Sequence, residues 1–222
     1  MLIQRKEAEI KLQRIFGINH FYDDQWEVIR RLITGERILM IQRTGFGKSL
    51  CYQFPAMLFS GLTVVFSPLI ALMRDQVSML QEKGIPAACI NSEQTNEENE
   101  QIIERAQSNR LKILYIAPER QEDQRWIEAV RSMRLSMIVV DEAHVVSTWG
   151  HDFRPSYRKI IDLVRLLPSH MPVLAVTATA TKKVQRDIEQ QIGGKLTTYR
   201  GTLTRENFRL HVIKVTRALV SR

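Results

Sequence analysis

Apolar residues in this chain gather in short, nearly unbroken runs of β-favouring types, separated by longer stretches in which they recur every three or four positions. The runs predict strands over Ile38 to Ile41, Thr63 to Phe66, Ala87 to Ile90, Lys112 to Ile116, Met137 to Val140 and Val173 to Val176. The periodic stretches predict helices beginning near Lys48, Leu69, Asn96, Asp123, Ser156 and Lys182. Two more helices, Gln4 to Phe16 and Gln25 to Thr34, precede the first strand, and the polar run Asn91 to Asn99 reads as a loop entering a helix. Strands that are apolar throughout belong to a parallel sheet covered on both faces, and right-handed crossovers then bring successive strand ends to one edge. Ligands of open α/β sheets bind at that edge. The expected fold is therefore α/β, with a mostly parallel central sheet and helices on both faces. Residues 1–34 form a helical preface, 35–200 the sheet domain, and 201–222 a last strand and the start of a linker. Met73 and Met79 are expected in the core, whereas His20, His170 and His211 read as surface or packing residues.

Two of the strand ends carry chemistry. Arg43-Thr44-Gly45-Phe46-Gly47-Lys48-Ser49 follows Ile38 to Ile41 and precedes an apolar helical stretch, the context in which a phosphate loop forms. Gly45 and Gly47 let backbone amides approach phosphate, and the following helix turns its N-terminus towards the negative charge. Lys48 would reach the β- and γ-phosphates of a nucleoside triphosphate, and Ser49 would ligate Mg²⁺. The full pattern has Gly where this chain has Gln42, so the match is to the Gly-Lys-Ser end. Asp141 follows Met137 to Val140 and so lies on the same edge. It can hold Mg²⁺ directly or through water, while Glu142 can orient and deprotonate the attacking water of an in-line phosphoryl transfer.

Composition bears on the partner. Of 222 residues, 32 are Lys or Arg and 24 Asp or Glu, for a net charge of +8 that favours a polyanion. From Lys182 onward the excess is concentrated, which describes either a solvated surface or an edge facing nucleic acid. A hydrophobic fraction of 44% with 25% charged residues fits a folded domain, not a disordered chain. Cys51 and Cys89 lie in apolar surroundings without metal-ligand spacing and read as buried thiols in a reducing compartment. No apolar run is long enough to span a membrane and the N-terminus lacks a signal core, so a cytoplasmic protein without a membrane partner is expected.

With these motifs in place, the chain resembles the first RecA-like motor domain of a superfamily 2 helicase of the RecQ family. The resemblance runs from about Phe21 to Phe208. It is carried by Phe21 to Gln25, by Thr44 to Gln53, by Ser67-Pro68-Leu69 and by Pro118-Glu119-Arg120. It continues in Asp141-Glu142-Ala143-His144, in Trp149-Gly150-His151-Asp152-Phe153-Arg154-Pro155 and in Thr177-Ala178-Thr179. The resemblance implies that Gln25 reads the adenine of ATP, a match available to a carboxamide through adenine N6 and N7. It places Thr44 to Ser49 around the nucleotide, with Lys48, Asp141, Glu142 and His144 as catalytic residues. Ser67, Arg74 and Arg120 are implied contacts to the DNA backbone. Trp149, His151, Phe153 and Arg154 form an implied aromatic-rich loop that couples single-stranded DNA to hydrolysis, stacking contributing about 1–3 kcal/mol per base. On residue chemistry alone, Trp149 and Phe153 could instead plug the sheet edge. Thr177 and Thr179 are implied to bond His144 or Asp141 and relay the nucleotide state, and Thr179 or Thr181 is equally suited to cap the helix near Lys182.

The implied activity is ATP-dependent 3′ to 5′ DNA unwinding, with an RNA helicase or other superfamily 2 translocase, or a non-catalytic nucleic-acid-binding module, as alternatives. The implied partners are DNA and a second RecA-like domain that these 222 residues do not contain. Without that domain's arginine finger, the chain alone is expected not to unwind DNA.

Overall fold

The computed structural model describes residues 3–149, 154–193, 196–202 and 211. Within them, seven strands form one sheet: β1 (Arg37–Ile41), β2 (Leu62–Phe66), β3 (Ala87–Ile90), β4 (Ile113–Ile116), β5 (Leu135–Val140), β6 (Val173–Thr177) and β7 (Leu196–Arg200). Their order across the sheet is β3-β4-β2-β5-β6-β1-β7, and every pairing is parallel. Helices α1 (Arg5–Phe16) and α2 (Asp23–Ile33) precede β1, and the crossovers carry α3 (Leu50–Leu58), α4 (Ile70–Glu82), α5 (Asn96–Gln107), α6 (Gln124–Val130), α7 (Ser156–Leu166) and α8 (Lys182–Ile192).

The strands are apolar throughout because both faces are covered. Within β1, Ile38 and Met40 pack with α1 to α4 on one side, while Leu39 and Ile41 pack with α5 to α8 on the other. The same alternation sends Val65 and Val139 to the first layer and Val64 and Val140 to the second. A strand with a polar face would leave one layer without a core.

Strand β7 pairs with β1 at the sheet edge, and the last strand and linker expected over 201–222 fall mostly outside the described residues. Thr197, Thr198 and Arg200 break the apolar run of β7, as an edge strand permits. One expectation is corrected. Met79 is exposed, whereas Met73 is fully buried. The six-residue spacing turns them to opposite sides of α4, whose buried positions are Met73, Val77 and Leu80. Among the described residues, no helix is long and apolar enough to cross a membrane.

Candidate nucleotide site and aromatic-loop anchor

The chain leaves β1 at Ile41 and turns through residues 42–49 before α3 begins at Leu50. Gly45 and Gly47 have φ of 83° and 86°, a left-handed conformation that any side chain would strain. Nothing lies within 4 Å of the point where a Cβ would sit on Gly45, which leaves that peptide open to a ligand. Thr44 and Gly45 are exposed on the outer rim of the loop, and Phe46 is half-buried with its ring 5.7 Å from that of Tyr22.

Lys48 folds back over this loop. Its Nζ donates to the carbonyls of Gln42 at 3.1 Å and Arg43 at 3.3 Å. Burial lowers the ammonium's pKa, opposed by the nearby Glu142 and Asp141 carboxylates. Ser49 precedes α3 directly, and the buried Tyr52 phenol feels both the Ser49 hydroxyl and the Asp141 carboxylate. Phosphate loop and acidic pair thus converge at the C-terminal edge of the sheet.

Asp141 remains in the ladder, its N–H donating to the Phe66 carbonyl at 2.8 Å. Its carboxylate accepts from the Ser67 hydroxyl at 3.1 Å and the Glu142 amide at 2.9 Å. Burial, reinforced by Glu142, raises its pKa to about 6. Glu142 then adopts φ 48°, ψ 44°, a left-handed backbone costing a non-glycine residue about 1–2 kcal/mol. That turn starts the 3-10 segment Ala143–Val146 and sets the Glu142 carboxylate 3.2 Å from His144 Nδ1. The same nitrogen lies 2.9 Å from Thr177 Oγ1 at the end of β6. Thr177 Oγ1 in turn donates to the Thr179 carbonyl at 3.1 Å. A hydroxyl has one proton, so with Thr179 receiving it His144 Nδ1–H is the donor to Thr177. Thr179 itself is exposed, and Thr181, whose hydroxyl accepts from the Val184 amide, caps α8.

Gln25, at the first turn of α2, is 4% exposed. Its carboxamide accepts from the Tyr22 amide at 2.9 Å and donates to the Phe46 carbonyl at 2.9 Å. One side chain therefore joins the start of α2 to the crown of the phosphate loop. Gln42, where the phosphate-loop pattern has Gly, is buried, donates to Asp24 at 3.2 Å and packs against Gly201.

The residues implied to contact nucleic acid divide. Ser67 is buried and its hydroxyl donates to Asp141 at 3.1 Å. Arg120 and Arg154 line a cavity of about 220 Å³ with Pro68, Ser92 and Glu119. Arg120 bonds the Asn91 carbonyl and Asp123, and Arg154 lies 3.6 Å from Glu119. Arg74 is exposed and pairs with Glu93 outside that cavity. Trp149 is 61% exposed and does not plug the sheet edge. His151 and Phe153 lie outside the described residues.

Residue types alone did not reveal Tyr157, whose buried hydroxyl donates to the Asp141 carbonyl at 3.1 Å, or the contact of Lys183 with Trp149. Both join positions brought together only by crossovers.

A family model described as DEAD/DEAH box helicase matches residues 22–187. The chain belongs to the DEAD/DEAH box helicase family. Among curated relatives it is 42% identical over 209 residues to the ATP-dependent DNA helicase RecQ of Haemophilus influenzae, covering 94% of this chain and 34% of that protein. It is 44% identical over 211 residues to the RecQ of Bacillus subtilis, covering 93% of this chain and 35% of that protein. The chain thus spans about a third of the length of these relatives. The fold is also that of a helicase MrfA bound to DNA and AMPPNP, with TM-score 0.68 at 20% identity over 90% of this chain and 29% of that one. The Pyrococcus furiosus Hef helicase domain aligns with TM-score 0.63 at 17% identity, covering 90% of this chain and 40% of that one. In this family member the matched segment takes in both the phosphate loop and the acidic pair.

The donor set fits Mg²⁺ with ATP. The ion takes hard oxygen ligands, and one or two protein ligands suffice when phosphates supply others. Asp141 and Ser49 provide such oxygens, and among the described residues no larger cluster of His, Cys, Asp or Glu gathers around a point. The raised pKa of Asp141 and the lowered pKa of Lys48 mark two charged groups short of solvation, each stabilised by a ligand of opposite charge.

Proposed function

We propose that this chain is the nucleotide-binding motor domain of a RecQ-type, ATP-dependent 3′ to 5′ DNA helicase. The observation that carries this reading is the continuous bonded path from Glu142 through His144 to Thr177 and Thr179, set beside Lys48 and Asp141. The similarity to RecQ proteins at 42% and 44% identity favours DNA over RNA as the nucleic acid.

In this reading Gln25 turns from Phe46 to the adenine, and Lys48 leaves the Gln42 and Arg43 carbonyls for the β- and γ-phosphates. Asp141 and Ser49 hold Mg²⁺, which when bound neutralises charge developing on the transferred phosphoryl group. Glu142 accepts a proton from the attacking water, and His144 passes the resulting change to Thr177. Arg120 and Arg154 hold the strand backbone near Trp149, Arg74 meeting the backbone farther along.

A second RecA-like domain supplies the arginine finger. Arg200 is not free for that role, since it bonds Gln185 and the Ala180 carbonyl. The chain alone therefore binds ATP without unwinding DNA. Titration with ATP and Mg²⁺ tests the site: Lys48→Ala is expected to abolish binding, and equal affinity in the two proteins refutes the assignment. Strand displacement by the isolated chain at the rate of a complete helicase refutes the need for the second domain.

A further inference from the structure

Helix α8 touches the segment after the acidic pair at two points. Ser147, fully buried, donates its hydroxyl to Asp187 at 2.6 Å, and the Trp149 amide donates to that Ser147 oxygen at 3.2 Å. One turn earlier on α8, Lys183 Nζ lies 3.1 Å from the centroid of the Trp149 ring. Positions four apart share one helical face, so Lys183 meets the ring while Asp187 reaches the Trp149 amide through the Ser147 hydroxyl. Trp149 remains 61% exposed with the ammonium over one face of its ring. Helix α8 starts five residues after Thr177, the hydroxyl bonded to His144.

We propose that Lys183 is a positioning residue that, with Asp187 fixing the backbone, holds Trp149 with one face covered and presents the other to a base of single-stranded DNA. This rests on the reading of the chain as a DNA-stimulated motor. An indole on a free loop loses rotamer freedom when a base stacks on it. One already held by a cation has lost that freedom beforehand, so binding is tighter. The anchoring helix leads directly from the Thr177–Thr179 segment, so the stacking platform and the bonded path from Glu142 share one rigid element.

Tryptophan fluorescence tests this in the full chain. Of its three tryptophans, Trp126 is 1% exposed and Trp26 is half-buried, so the most quencher-accessible emission is that of Trp149, with Trp149→Phe as control. In the absence of DNA, Lys183→Met is expected to raise acrylamide quenching of that emission, and Lys183→Arg to restore the wild-type value. With oligothymidylate as probe, Lys183→Met is expected to weaken binding by about three- to tenfold, leaving ATP affinity and melting temperature unchanged.

Weaker DNA binding with unchanged acrylamide quenching makes Lys183 a phosphate contact only and overturns the proposal. So does DNA that binds the wild type without altering Trp149 emission. Absence of any oligothymidylate binding in the wild type instead refutes the proposed function, and with it the stacking role.

Discussion

His144 Nδ1 and Thr177 Oγ1, 33 positions apart in sequence, lie 2.9 Å from each other at the ends of neighbouring strands. The contact exists because β5 and β6 pair in parallel, so both chains exit the sheet on the same side. Replacing Thr177 by Val keeps the shape and removes the hydroxyl. His144 Nδ1–H retains Glu142, while the Thr179 amide and carbonyl lose their shared partner. The expected cost is about 1–2 kcal/mol of stability, read by chemical denaturation. ATP affinity is expected to stay within about twofold, since the Thr177 hydroxyl bonds neither Lys48 nor the phosphate loop, and Val keeps the backbone carbonyl that accepts from the Gln42 amide at 3.1 Å. A large loss of ATP affinity would place Thr177 in the nucleotide site and break the relay reading.

Asp141 gives the protein a pH dependence of defined sign. Its pKa is about 6 in the folded chain against an ordinary 3.8. The folded state therefore binds the proton more tightly than the unfolded one, and stability falls as pH rises from about 4 to about 6. The full penalty, about 3 kcal/mol at 1.36 kcal/mol per pH unit, is present above pH 6 and absent below the unfolded value. Asp141→Asn is expected to match the wild type near pH 3.5 and to exceed it at pH 8. Urea unfolding at several pH values measures the gap; a constant gap across that range refutes the assignment. In the wild type, affinity for ATP with Mg²⁺ is expected to decline below pH 6 as the carboxylate protonates.

Much of this site could be read from residue order alone. The apolar runs ending at Ile41 and Val140 placed Lys48 and Asp141 on one edge, because a parallel sheet leaves little freedom in where strand ends go. Side-chain partners were not legible to the same degree. Nothing in the order of residues announces that the Ser67 hydroxyl bonds Asp141, a contact made because β2 and β5 are neighbours in the sheet. Lys183 read as one basic residue in a basic stretch, and nothing in its neighbours announces an indole 34 positions upstream. Met79 shows the limit of a residue-type argument, its apolar side chain lying on the solvent side of α4.

Gly201 and Gln42 make a testable pair. A Cβ on residue 201 would collide with the Gln42 carboxamide, and the Gly201 amide is fixed to the Ile41 carbonyl at 3.0 Å. Neither backbone can retreat easily, so the carboxamide must swing away and lose its bond to Asp24. Gly201→Ala is expected to cost about 1–3 kcal/mol. In a Gln42→Ala background the same change is expected to cost almost nothing. Additive costs in that double-mutant cycle would show that the two residues do not compete for space.

Gln25 separates capping from nucleotide recognition. Its oxygen accepts from the Tyr22 amide at the start of α2, and its nitrogen donates to Phe46 on the phosphate loop. Gln25→Glu retains an acceptor for Tyr22, so α2 stays capped, but sets a carboxylate oxygen against the Phe46 carbonyl. Gln25→Ala removes both bonds and leaves the Phe46 carbonyl and the Tyr22 amide without this partner, at a cost of about 2–3 kcal/mol. The Glu variant keeps the Tyr22 bond but buries an unpaired carboxylate at a site 4% exposed, so at about pH 7 it is expected to be the less stable of the two. Both are expected to lose the preference for ATP over GTP, because neither presents a donor and an acceptor side by side to adenine. Competition between ATP and GTP for the site measures that preference. If Gln25→Glu still discriminates as the wild type does, adenine is read elsewhere and Gln25 serves only to tie α2 to the phosphate loop.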